Sequence, residues 1–135
     1  MTSSIQDFAT AYGQAWAQHD PDAIVAMHTA DTVFHQHGIG EPAVGNDAVR
    51  QAITGVFAQA PDLAFARGRM HFGEDHFVVE YEMSGTAGGR SFACDGVDVF
   101  TLRDGLVARK DTYVDLAGLM RQTEMDPTSA LQTAS

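Results

Sequence analysis

The chain has 135 residues, 44% of them hydrophobic, which suits one domain with a single core. Eight basic against eighteen acidic side chains give a net charge of −10; such a surface repels phosphate backbones and anionic membranes, so neither is an expected partner. A lone cysteine, Cys94, allows no internal disulfide, no window approaches the ~20 apolar residues of a membrane helix, and no basic region precedes an apolar run at the N-terminus, so a cytoplasmic location is expected.

Ile5, Phe8, Tyr12, Ala15 and Trp16 recur at helical spacing and predict an amphipathic helix over 4–18. Asp20-Pro21 reads as an N-cap followed by proline at the first helical position, opening a short second helix that carries Ile24, Met27 and His28 inward. A strand over 32–37 ends at the Gly38–Pro42 segment, and Gly45-Asn46-Asp47 opens a third helix with Val49, Ile53, Val56 and Phe57 on one face. From Leu63 onward the pattern alternates. A strand near 63–72 is followed by one in which Phe77, Val79, Tyr81 and Met83 share a face. After a glycine-rich turn at 85–89 comes a long strand over 90–102, a tight hairpin at Asp104-Gly105 and a return strand over 106–115. A final helix is expected over 116–125, then a polar tail over 126–135. Helices followed by an antiparallel meander predict an α+β domain, with a curved sheet wrapped around the N-terminal helices as a cone with a pocket at its mouth.

Three stretches then carry a resemblance: the 20–27 run DPDAIVAM, the 33–38 run VFHQHG with Pro42 and Gly45 behind it, and the 98–105 run DVFTLRDG with Tyr113, Asp115 and Leu119. In order and spacing they resemble the superfamily named after nuclear transport factor two, and within it the SnoaL-like and ketosteroid-isomerase-like proteins. The resemblance implies the cystatin-like α+β barrel fold over residues 1–125 and a homodimer formed through the outer face of the sheet, where Ala93, Val97 and Val99 would lie.

Ketosteroid isomerase holds its substrate oxygen with a tyrosine and a neutral aspartic acid. By resemblance those positions are Tyr12 and Asp98, and the position of its general-base aspartate is Gln36. Limonene epoxide hydrolases place an amide in the same strand to hold a water, a part open to Gln36. The acid those enzymes need on the return strand is absent, and Thr112 stands there instead.

Asp98 shares a face with Phe92, Cys94, Gly96, Phe100 and Leu102, where a lone carboxyl must be paired or protonated. His35 and His37 share one face of their strand, with Phe34 and Gln36 on the other. A bulge near Gly38 would turn one histidine inward as a base. Trp16, His28, Phe34 and Tyr81 are expected in the pocket wall. Alternation on the return strand leaves two registers open, one with Lys110 inside and able to pair with Asp98, the other with Tyr113 inside.

The function expected is cofactor-independent acid–base chemistry on a small hydrophobic carbonyl, enol or polycyclic compound in an apolar pocket. Isomerisation, cyclisation and dehydration all fit. Tyr12, Asp98, His35 and Gln36 are the catalytic candidates; Trp16, His28, Phe34, Tyr81 and Lys110 are the substrate-binding ones. No cofactor or metal is expected, since a third ligand for a His-x-His pair would have to come from afar. A non-catalytic binding protein of the same fold, or an epoxide hydrolase-like enzyme, are the alternatives.

Overall fold

The computed structural model describes residues 4–123; the whole of the expected polar tail over 126–135 and the last two residues of the expected final helix lie outside them. Helix α1 (Ile5–Ala17) begins at Ser4, whose side chain accepts from the Asp7 amide. It buries Ala9, Tyr12, Ala15 and Trp16, one stripe at helical spacing. His19, in the left-handed region at φ 54°, turns the chain into α2 (Pro21–Val25), capped by the Asp20 carboxylate on the Ala23 amide. Helix α3 (Asn46–Gln59) buries Val49, Ile53 and Phe57.

The strands are β1 (His28–Gln36), β2 (Ala43–Val44), β3 (Ala64–Phe72), β4 (His76–Ala87), β5 (Arg90–Arg103) and β6 (Leu106–Val114), and α4 (Leu116–Thr123) follows. They form one curved sheet in the order β2-β1-β6-β5-β4-β3. Two features of the sheet differ from expectation. It is not closed into a barrel, since β2 and β3 are free edges. It is also mixed, because β6 returns alongside β1 and pairs with it in parallel. The β5–β6 hairpin turns at Asp104 and Gly105, both with positive φ, which matches the right-handed strand twist.

His28 does not sit on α2. The helix stops at Val25, and β-branched Thr29, Thr32 and Val33 favour the extended chain, so β1 begins at His28. A register shift between His28 and Val33 bends the strand. The core lies between the concave face and the helices, with Ile24, Val49, Ile53, Phe77 and Val107 wholly buried.

Candidate active site in the cone interior

Register decides what faces inward. Phe34 pairs with Lys110 and Gln36 with Thr112 across β1 and β6, while Phe100 pairs with Lys110 and Asp98 with Thr112 across β6 and β5. Phe34, Phe100, Asp98, Lys110 and Thr112 are all buried, so this face is the interior and Gln36 shares it, half-buried. The register left open by the sequence is thus resolved: Lys110 is inside, 3% exposed, and Tyr113 is outside, 44% exposed.

The Lys110 ammonium is walled by aromatic rings. Its Nζ stands 3.7 Å from the ring centroid of Trp16, 5.1 Å from that of Phe34, 5.3 Å from that of Tyr12 and 5.5 Å from that of Phe100. Asp98 Oδ2 is 3.7 Å away, close enough for an ion pair but longer than a good N–H···O hydrogen bond. Burying an ion costs several kcal/mol, which a desolvated cation–π contact of ~2 kcal/mol offsets only in part. Burial accordingly pushes the lysine down to about 8, and the Asp98 charge opposes a larger fall.

Asp98 is held as an acceptor. Tyr81 donates to its Oδ1 at 3.0 Å and Thr112 donates to the same oxygen at 2.8 Å. Tyr81 reaches it because its ring lies across Gly96, its register partner, where a Cβ would stand 2.7 Å from Tyr81 Cε2. Tyr81 is forced well above the ordinary tyrosine range by burial and then by the Asp98 charge.

A second polar chain lies on the α1 side. The Tyr12 hydroxyl is 2.8 Å from His28 Nε2, and His28 Nδ1 is 2.8 Å from Thr32 Oγ1. Burial, reinforced by Lys110, depresses His28 to about 3, so the ring is neutral and donates through one nitrogen while accepting through the other. Burial drives the Tyr12 hydroxyl far up, against a smaller opposing pull from Trp16. The Trp16 indole is near enough to exert that pull, yet its Nε1 lacks hydrogen-bond geometry to any partner among the described residues.

Tyr12 and Asp98 therefore both line the space around Lys110, but not as a shared pair of donors. Tyr12 is engaged by His28, and Asp98 accepts hydrogen bonds from two hydroxyls. The interior is correspondingly an aromatic shell around a buried charge rather than an apolar pocket. His35 does not join it. Alternation places His35, His37, Asp111 and Tyr113 on the outer face, where the His35 and His37 rings are 3.7 Å apart and His37 stacks on Tyr113 at 4.2 Å. No inward bulge occurs at Gly38, because the His37 amide donates to the Thr112 carbonyl and continues the pairing with β6.

The residue whose importance the sequence understated is Thr112. It occupies the site where an acid was sought, and donates to Asp98 instead. Its strand register was the missing signal. Two open cavities of about 340 and 380 Å³ share Glu80, Asp95 and Gly96 and lie over the outer side of β4 and β5, away from Lys110.

Comparison with known proteins agrees with this architecture. Residues 9–110 match the SnoaL-like domain model. A Catenulispora acidiphila protein with a ketosteroid isomerase-like fold, solved in complex with trimethylamine, superposes with a TM-score of 0.83 at 19% identity, covering 93% of this chain and 98% of its own. A SnoaL-like polyketide cyclase structure from a Jannaschia species gives 0.79 at 18% identity, covering 94% and 99%. TerC, co-crystallised with polyporic acid, gives 0.77 at 18% identity, covering 88% and 97%. No curated protein matches the chain in sequence. No helix among the described residues is long and apolar enough to cross a membrane.

Proposed function

The chain belongs to the SnoaL-like domain family, and on that premise we propose that it is a cofactor-independent acid–base enzyme acting on a small hydrophobic carbonyl, enol or polycyclic compound, by isomerisation, cyclisation or dehydration. One observation carries this reading: the aromatic interior holds two donors, the Lys110 ammonium on the face of the Trp16 ring and the Trp16 N–H, which makes no hydrogen bond among the described residues. A buried unmade hydrogen bond costs ~1–3 kcal/mol, so an oxygen acceptor that enters this space recovers energy that water in bulk would not.

The roles follow from position. Lys110 and Trp16 polarise the substrate oxygen, and a positioned donor of this kind contributes ~3 kcal/mol to a barrier. Asp98, fixed by Tyr81 and Thr112, keeps the lysine charged. Tyr12 and neutral His28 form a proton path that ends on Thr32. Gln36 offers an amide beside Thr112 on the same face. The oxyanion role that resemblance assigns to Tyr12 and Asp98 thus passes to Lys110 and Trp16, while Tyr12 handles the proton. Tyr12, Trp16 and Lys110 are each less than a tenth exposed, so a ligand reaches them only as a wall side chain moves. That proteins of the same fold are seen with trimethylamine and with polyporic acid supports small-molecule occupancy.

The test is proton exchange. In heavy water, the carbon next to the carbonyl of a tetralone should gain deuterium faster with the protein than without it, followed by NMR. Tyr12→Phe and Lys110→Met should each slow this by about a hundredfold. Ketones that bind but never exchange would favour the non-catalytic binding protein instead.

A further inference from the structure

The outer face of the sheet carries a second cluster that the interior chemistry does not use. Extended alternation carried one residue past β1 puts the His35 and His37 rings side by side, and the parallel pairing sets Asp111 of β6 directly opposite His35. One ligating atom from each of the three lies within 4.8 Å of the others, and all three residues are half-buried. His37 Nε2 is already 2.7 Å from Asp111 Oδ1, and the His37 ring is clamped against Tyr113 at an interplanar angle of 9°. The His35 ring makes no hydrogen bond among the described residues, only the stack on His37.

We propose that His35, His37 and Asp111 form a binding site for one borderline divalent cation of the zinc class. Two imidazoles and one carboxylate are the donor set such ions prefer, whereas calcium and magnesium favour all-oxygen shells. Zinc bonds of ~2.0–2.2 Å place neighbouring ligand atoms ~3.3 Å apart, and the three ligand atoms here already lie within 4.8 Å of one another, with His37 and Asp111 at 2.7 Å. His35 and Asp111 are register partners on two hydrogen-bonded strands, and His37, the first residue after β1, is tied to β6 by its amide on the Thr112 carbonyl, so the backbone around the three ligands is already fixed. Three protein ligands leave at least one coordination position for water or an external donor. The overall charge of −10 favours a cation.

Arg109 is the competitor. Its Nε and Nη2 donate to the two Asp111 oxygens at 2.9 and 3.0 Å. The arginine side chain is 44% exposed but the Asp111 side chain only 15%, and a two-point guanidinium–carboxylate contact is stronger than an ordinary surface ion pair, so the cation has to outcompete half of that fork. The cation takes Oδ1 in place of both the His37 contact and the Arg109 Nη2 contact, while Arg109 Nε keeps Oδ2 and orients the carboxylate. The sequence alone concealed this site because Asp111 lies 74 residues from His37.

The experiment is zinc titration of the chelator-stripped full chain, competed against a chromophoric chelator, with cobalt(II) as a visible-spectrum stand-in. One ion per chain is expected. His35→Ala, His37→Ala and Asp111→Asn should each weaken binding tenfold or more, a double variant at His71 and His76 should leave it unchanged, and Arg109→Ala should tighten it. Nitrogen NMR of the histidine rings locates the ion without any substitution, so a misfolded variant does not end the test; metal-dependent shifts at His35 and His37 are expected. Absence of stoichiometric binding, or shifts confined to His71 and His76, would overturn the proposal.

Discussion

Lys110 and Asp98, on neighbouring strands, share the cone interior with their charged atoms 3.7 Å apart, while the lysine rests on the face of Trp16. Each charge is tolerated only because the other is there. Lys110→Met should therefore cost about 3 kcal/mol in urea denaturation, and Asp98→Asn a similar amount, since each leaves one buried charge uncompensated. The double variant removes both ions, so it should be no less stable than the worse single variant. Simple addition of the two costs would show that the pair is not energetically coupled.

His28 ties stability to pH. Its folded value of about 3 lies below its ordinary 6.5, so the unfolded chain takes up the proton first. The stability from keeping this ring neutral is complete above 6.5 and drains away as pH falls toward 3. The loss should amount to a few kcal/mol. Acidic groups held low by partners, such as Asp31 and Glu80, act in the same direction at still lower pH. Tyr12, Thr32 and Lys110 face the ring. Thermal melts of the wild type and of His28→Gln between pH 7 and 5 separate the contributions, because only the wild type should lose stability across that window.

Gly96 tests the anchoring of Asp98. A methyl group there meets the Tyr81 ring and pushes its hydroxyl off the carboxylate. Gly96→Ala should destabilise by about 1–3 kcal/mol. Tyr81→Phe, which deletes the hydroxyl without crowding, should cost less. Equal costs would mean that the ring's position near Gly96 is unimportant.

A fourth expectation concerns association. Val97 and Val99 on β5 and Tyr113 on β6 present apolar surface on the outer face, and Val97 pairs with Tyr113 in register. A patch of this kind is commonly covered. Sedimentation should give a homodimer at micromolar concentration that Val97→Asp dissociates. A wild-type monomer would count against an interface on this face.

Much of this was legible in the chain. Helical spacing in α1 marked Tyr12 and Trp16 as inward, and strict alternation on β4 and β5 put Tyr81 and Asp98 on the concave face. What alternation cannot reveal is which strand lies beside which. The parallel docking of β6 on β1 brings Lys110 under Phe34 and sets Asp111 against His35, and both depend on contacts more than 70 residues apart in sequence. The 106–114 strand mixes small, charged and β-branched residues on both faces, so its register could not be read from polarity. His28 was misplaced for a local reason. The helical signal of Ile24 and Met27 runs on past the point where Thr29 and Thr32 draw the chain into a strand.

The chain's only tryptophan, Trp16, forms one wall of the proposed site and reports on what enters it. Its fluorescence should be quenched saturably by naphthols, mimics of an enolate oxygen. Affinity should rise along a series of increasing acidity as more negative charge faces Lys110. In Lys110→Met that dependence on acidity should vanish while the variant stays folded. If no naphthol quenches Trp16, or if Lys110→Met binds the whole series as the wild type does, the interior is not an oxygen-polarising site and the account fails.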